Sequence, residues 1–95
     1  MEINYGILYH EDVLREDIPQ LSKKNKVRIK KAIEEKLGKA PETFGKPLRR
    51  SLKGYRKLRV GDFRIIFRIE KRNVKVFVIQ HRSVVYKRSV SRLGS

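Results

Sequence analysis

The chain predicts an α+β domain: an antiparallel sheet of about four strands, two N-terminal helices packed on one face, and a basic face opposite. Three observations carry this. A period-2 apolar pattern opens the chain, a helical stripe follows it, and the second half holds two hairpins whose registers bury one set of side chains. At 95 residues the chain can bury roughly 60–65% of its unfolded surface, which suits one modest core, so residues 1–95 read as a single domain. An apolar fraction of 39%, with four Tyr and four Phe, supplies that core although 37% of residues are charged, which excludes a disordered chain.

Met1, Ile3, Tyr5, Ile7 and Tyr9 alternate with Glu2, Asn4, Gly6 and Leu8, the signature of a strand. Between His10 and Ile18 the apolar Val13, Leu14 and Ile18, joined by Leu21, share one helical face, and acids crowd the start. A short helix ending near Pro19 follows. Ser22 suits the N-cap of a second helix reaching Leu37, with Ile29, Ala32, Ile33 and Leu37 in one stripe, Val27 off it, and Gly38 at the C-cap position. Pro41, Gly45, Pro47 and Gly54 make residues 39–54 an irregular connection.

Gly61-Asp62 suits a two-residue turn with Gly first. It sets Val60 opposite Phe63, Leu58 opposite Ile65 and Arg56 opposite Phe67. A second turn at Lys71-Arg72 sets Ile69 opposite Val74, Phe67 opposite Val76 and Ile65 opposite Val78, so both hairpins agree on one buried face. After His81-Arg82, the residues Val84, Val85, Tyr86, Val90 and Leu93 suit either a short final helix or an extended tail.

The charge is one-sided. Of 25 Lys+Arg against 10 Asp+Glu, net +15, residues 1–45 hold nine basic and eight acidic side chains. Residues 46–95 hold sixteen basic side chains against only Asp62 and Glu70. Such a field attracts polyanions, so nucleic acid or a strongly acidic protein is the expected partner. With zero Cys there is no disulfide framework, thiolate metal site or cysteine nucleophile. The longest apolar run, residues 76–79, is far short of a membrane span, and no secretory leader pattern opens the chain. The expectation is a cytoplasmic protein without a membrane partner. No carboxylate cluster, His pair at ligand spacing or Gly-rich phosphate loop occurs, so neither a metal nor a nucleotide cofactor is expected.

In the hairpin register Arg59 stands directly opposite Arg64, with Tyr55, Lys57 and Arg68 on the same face. Like charges across a strand pair are destabilising, so folding alone does not explain them. Ile66, Phe77 and Ile79 are expected on that face too, which would make it both cationic and apolar. Metal-free phosphodiester chemistry needs cations for the phosphoryl oxygens and proton-exchanging groups for the nucleophile and leaving group. Lys57, Arg59, Arg64 and Arg82 can supply charge, Arg with a bidentate fork. His81 can exchange a proton near neutral pH. Tyr86 can stack on a base, donate a proton, or serve the core.

Residues 52–69 (Leu-Lys-Gly-Tyr-Arg-Lys-Leu-Arg-Val-Gly-Asp-Phe-Arg-Ile-Ile-Phe-Arg-Ile), 74–82 (Val-Lys-Val-Phe-Val-Ile-Gln-His-Arg) and Val85-Tyr86 resemble the RelE/ParE superfamily of bacterial and archaeal toxins, and the likeness runs over nearly the whole chain. The stretch from Leu58 to Arg64, followed by His-Arg and Val-Tyr, is most similar to the RelE side. The resemblance implies a small RelE-like domain with a basic concave face opposite its helices, a toxin of a type II toxin–antitoxin system. It implies a metal-independent endoribonuclease, an mRNA interferase that cleaves mRNA in the ribosomal A site by attack of the RNA's own 2′-hydroxyl on the adjacent phosphate. Its implied partners are the ribosome and mRNA, a cognate acidic, RelB-like antitoxin, and operator DNA only as the toxin–antitoxin complex.

On that resemblance Arg64 matches the phosphate-stabilising arginine, Lys57 a catalytic lysine, Arg82 a second phosphate-contacting arginine and Tyr86 the C-terminal tyrosine near the scissile site. Tyr55, Arg56, Arg59 and Arg68 are the further RNA-binding candidates. Tyr55 stands where the best-studied RelE enzymes carry a second lysine, and the stretch from Arg82 to Tyr86 is shorter than theirs. His81 is the preferred base and Lys57, crowded by cations, the alternative. A ParE-like inhibitor of DNA gyrase and a relative that only pairs with an antitoxin are the competing expectations. The antitoxin is expected as an acidic amphipathic peptide lying across or beside the cationic face, near Ile66, Phe77 and Ile79.

Overall fold

The computed structural model describes residues 4–93. Five strands form one sheet in the order β1-β5-β4-β3-β2: β1 (Gly6–Tyr9), β2 (Lys46–Pro47), β3 (Arg56–Val60), β4 (Phe63–Glu70) and β5 (Asn73–His81). The three long strands are the expected antiparallel hairpins. β1 adds to β5 in parallel, and the two-residue β2 pairs antiparallel with β3, one strand more than the sequence suggested. Ile7 and Tyr9 of β1, with Tyr5 just before it, pack against the core, and Asn4, Gly6 and Leu8 are exposed, as alternation requires. Met1 to Ile3, part of the expected strand, lie outside the described residues.

The first helical segment runs as a π-turn, Val13–Asp17, that tightens into a 3₁₀ turn, Ile18–Gln20. The segment ends at Gln20, one residue past Pro19 and near where it was expected to end. Pro19 sits in the first turn of the new segment, where a missing N–H costs little. Val13 is buried, whereas Leu14 is exposed, because the wider π-turn rotates it off the stripe. Helix α1 (Lys23–Ala32) begins at Ser22, whose Oγ accepts the Asn25 N–H at 3.2 Å, and continues as a π-turn, Ile33–Leu37. Ile29, Ile33 and Leu37 are buried and Val27 is exposed. Gly38 closes the helix with a right-handed φ of −69°. Its need for glycine is steric, because a Cβ there would collide with the Glu34 carbonyl oxygen.

These two helical segments cover one face of the sheet. Val13, Leu21, Ile29, Ile33 and Leu37 pack on Leu58, Val60, Ile65, Phe67, Val74, Val76 and Ile79. A four-residue helix α2 (Pro41–Phe44) leads into β2, so the connection expected to be irregular carries both.

The β3–β4 register is the expected one, Leu58 with Ile65 and Arg59 with Arg64. The β4–β5 hairpin starts as expected, with Ile69 opposite Val74 and Phe67 opposite Val76, but a β-bulge then intervenes. Ile66 pairs with Val78 and Ile65 with Ile79, instead of Ile65 with Val78. One extra residue reverses the parity of every side chain beyond it. Ile79 therefore turns into the helix-side core, away from the cationic face on which it was expected.

The C-terminal segment resolves into helix α3 (Val85–Leu93), and it lies on the second face. Ile66, Phe77, Val78 and Val85 form a separate core there, with Leu48, Tyr55 and Leu93 against it. Ile66 and Phe77 are buried rather than exposed, because α3 covers them. The expected exposed apolar patch does not exist, and the antitoxin expectation loses its apolar footing there.

Candidate functional site

The β3–β4 hairpin sets the cations. Leu58 and Val60 turn into the core, so their alternates Lys57 and Arg59 face the other way. Pairing places Lys46 of β2 opposite Lys57 and Arg64 of β4 opposite Arg59. With Phe44 these four cations line a hollow of about 190 Å³. The two acids of residues 46–95 are engaged elsewhere, Glu70 by Arg68 and Asp62 by Arg82. Among the described residues no carboxylate pairs with the four lining cations.

Three hydrogen bonds hold this cluster. Arg64 Nη1 donates to the carbonyls of Gly61 and Phe63, each at 2.9 Å, which anchors the guanidinium at the hairpin mouth. Lys57 Nζ donates to the Tyr86 hydroxyl at 2.7 Å and lies 5.4 Å from that ring's centroid. Tyr86 stands in the first turn of α3 and is 44% exposed, so it serves no core. Arg82 joins the same end of the hairpin: its N–H donates to Asp62 O at 2.8 Å and its exposed Nε lies 3.8 Å from Asp62 Oδ1.

Four of the other candidates lie apart. His81 pairs with Phe63 and meets its ring edge-on at 5.8 Å, so the register puts it on the helix side. Its Nδ1 accepts the Ser83 N–H at 3.1 Å and lies 2.8 Å from Ser83 Oγ. Nδ1 is thus engaged within its own turn. Arg56 stands opposite Phe67 and donates to Gly45 O at 3.0 Å, which holds β2 in place. Tyr55 and Arg68 sit at the far end of the sheet. There the Tyr55 ring meets Phe77 edge-on at 5.3 Å, and Arg68 stacks over both rings while binding Glu70.

Sequence reasoning missed Lys46 and Phe44, since a two-residue strand leaves no periodicity to read. It also missed a buried ion pair. Asp17 and Arg92 join the first helical segment to α3 in a bidentate contact at 2.9 and 3.0 Å. The hydrogen bonds that Arg92 donates to Asp17 hold its guanidinium above the ordinary pKa against the opposing effect of burial, and the charges of Asp17, Asp12 and Glu16 add to this. The sequence did carry one signal: Asp17 sits at helical spacing between Val13 and Leu21, a carboxylate inside an apolar stripe. Among the described residues no helix is long and apolar enough to cross a membrane.

The arrangement is a cationic hollow that can seat a phosphodiester, with a lysine–tyrosine pair at its edge able to exchange protons. A family model described as the ParE toxin of the type II toxin–antitoxin system parDE matches residues 4–86. Toxin RelG of Mycobacterium tuberculosis is 37% identical over 54 residues, a match spanning 55% of this chain and 62% of that relative's length. The toxin–antitoxin complex RelBE2 of Mycobacterium tuberculosis contains a chain that superposes with a TM-score of 0.79 at 27% identity, covering 84% of this chain and 100% of that one. The RelB–RelE complex of Methanococcus jannaschii shares the fold, with a TM-score of 0.65 at 19% identity over 85% of this chain and 96% of that one.

Proposed function

The chain belongs to the ParE toxin family of type II toxin–antitoxin systems, within the RelE/ParE superfamily, and from its cationic hollow we propose that it is an endoribonuclease toxin that cuts mRNA in the ribosomal A site. The contact between Lys57 Nζ and the Tyr86 hydroxyl, 2.7 Å long beside the cationic hollow, carries this reading. A sheet face built only to fold would not crowd Lys46, Lys57, Arg59 and Arg64 together.

In the proposed reaction the 2′-oxygen attacks the adjacent phosphorus while the bond to the 5′-oxygen breaks, leaving a cyclic phosphate and a 5′-hydroxyl. Lys57 and Tyr86 act as one acid–base pair. A proton enters the pair from the 2′-hydroxyl and one leaves it to the departing 5′-oxygen, so the pair ends as it began. Arg64 and Arg59 stabilise the charge that builds on the phosphoryl oxygens, and Arg82 contacts a neighbouring phosphate. His81 takes no part in proton exchange in this reading, because its Nδ1 is engaged by Ser83. An acidic antitoxin of RelB type neutralises the toxin, as the crystallised neighbours pair with RelB-like chains.

The test is purified protein with ribosomes holding a defined codon in an empty A site, mapped by primer extension beside the same mRNA alone. Cleavage in both wild-type samples, or only on the ribosome, with loss in Arg64→Ala supports a nuclease, and the second pattern supports ribosome dependence. No cleavage in either sample overturns it. The match to a ParE model favours one second reading, the inhibition of DNA gyrase that the resemblance offers as the competing expectation, and a supercoiling assay in which wild type and Arg64→Ala both inhibit would establish that instead.

A further inference from the structure

The lysine–tyrosine pair is assembled from two parts of the chain that no strand pairing connects. Lys57 is fixed in the sheet, whereas Tyr86 rides on α3, and what sets α3 sets the pair. Val85, Leu93 and the buried Ser89 give α3 its depth on the sheet. Ser89 Oγ donates back to Val85 O at 2.6 Å, so this small residue leaves no polar atom unpaired. Apolar packing is non-directional, however, and does not fix how far a short helix slides or rotates.

The directional contact is at the other end. Arg92 Nη1 donates to Asp17 Oδ2 at 2.9 Å and to Phe77 O at 2.9 Å. Its Nη2 donates to Asp17 Oδ1 at 3.0 Å and to Glu16 Oε2 at 3.1 Å, and Nε lies 3.6 Å from Asp12 Oδ2. Asp17 is fully buried and satisfied on both oxygens, also accepting Ile79 N–H at 2.8 Å and Gln80 Nε2 at 2.7 Å. These two donors lie on β5 past the end of β1, where the strand edge would otherwise be unpaired. Gln80 is also the residue opposite Arg64 in the sheet. One carboxylate therefore ties the first helical segment, the strand beside Arg64 and the helix bearing Tyr86.

We propose that Arg92 and Asp17 are the positioning pair of the site, fixing the slide and rotation of α3 so that the Tyr86 hydroxyl meets Lys57 Nζ. Tyr86 lies about 9 Å along the helix axis from Arg92, so a small rotation at the clamp moves the hydroxyl out of hydrogen-bond reach. The catalytic part of this inference rests on the nuclease reading; the structural part does not.

Three readouts test it. Arg92→Gln lowers kcat on ribosome-bound mRNA by about 10- to 100-fold with KM little changed, and Arg92→Lys, which keeps the charge but loses the fork, recovers part of the loss. In a Tyr86→Phe background Arg92→Gln adds no further loss, since both act through one hydroxyl. In protein labelled at tyrosine, the Tyr86 ring resonances shift in Arg92→Gln, and hydrogen exchange rises in residues 85–93 while β4 and β5 stay protected. A multiplicative loss in the double variant, or unmoved Tyr86 resonances with α3 still protected, overturns the proposal. A wild type that cuts no RNA overturns the nuclease reading, and the resonance and exchange arms then decide the clamp alone. If Arg92→Gln does not fold, Arg92→Lys carries the same comparisons.

Discussion

Replacing Arg59 with Thr separates a site built for a ligand from a merely solvated face. Arg59 is exposed and stands directly opposite Arg64, with Lys57 and Lys46 around the same hollow. A like-charge cross-strand pair costs about 0.2–1 kcal/mol, and Thr is a good strand former, so Arg59→Thr stabilises by about that amount. In a domain of this size this raises Tm by about 1–8 °C. The gain is electrostatic: it is largest at ~10 mM salt and nearly vanishes at ~1 M, where the screening length is about 3 Å. On the proposed nuclease reading cleavage moves the opposite way, since one charge-assisted phosphate contact of about 1.5–3 kcal/mol would be lost, a fall of about tenfold to a hundredfold. Urea melts at the two salt concentrations, with primer extension on the same samples, give both numbers. A destabilised Arg59→Thr, or a gain equal at both salts, refutes the charge-crowding argument. Full retained cleavage refutes the role of Arg59 in the hollow.

The two hairpin turns offer a matched comparison: Gly61 has φ +59° and Lys71, in the equivalent first position of the second turn, also has φ +59°. Lys71→Gly relieves that left-handed backbone and raises stability by about 0.5–1 kcal/mol in a thermal melt, and a lower Tm would contradict it. Gly45→Ala places a Cβ 2.8 Å from Phe67 Cε1 and 2.9 Å from Pro41 O. Overpacking of this kind costs about 1–3 kcal/mol, and because Phe44 and Lys46 flank the position, urea midpoint and cleavage fall together; an unchanged midpoint would show that the strand shifts freely. Tyr9 is held protonated above the ordinary tyrosine range, first by burial and then by Glu34. Its contribution to stability is therefore complete below the unfolded value near ~10 and is lost as pH rises through the higher folded value. Wild type accordingly loses stability more steeply than Tyr9→Phe between pH ~9 and ~11, and parallel urea midpoints would refute this.

The cations of this chain are not equivalent, although they look so in the sequence. Arg56, Arg68 and Arg92 are spent on Gly45 O, Glu70 and Asp17, contacts that build the scaffold. Lys46, Lys57, Arg59 and Arg64 instead line the hollow, Arg64 anchored through Nη1 by two carbonyls and Lys57 by the Tyr86 hydroxyl. A one-signed half of the chain thus divides into structural and available charge only when the acids and carbonyls it meets are known.

By itself the sequence determined what depends on near neighbours. Ser22 as a cap, the Ile29 to Leu37 stripe, the Gly61-Asp62 turn and the Arg59–Arg64 pairing all follow from local periodicity and turn chemistry, and the cluster of Lys57 and Arg64 follows from that register. The tertiary structure decided what depends on which surfaces meet. The bulge at Phe77 reversed the parity of β5, which moved Ile79 into the helix-side core and turned His81 away from the cations. Residues 46–47 became a strand only because Lys57 and Arg56 present a free edge. The C-terminal segment, open between helix and tail in the sequence, became α3 because Ile66, Phe77 and Val78 needed cover. Its orientation rests on Arg92 meeting Asp17, a pair so far apart in the chain that no periodicity links them. Local patterns set each element; long-range burial and charge pairing decide which of their faces remain for function.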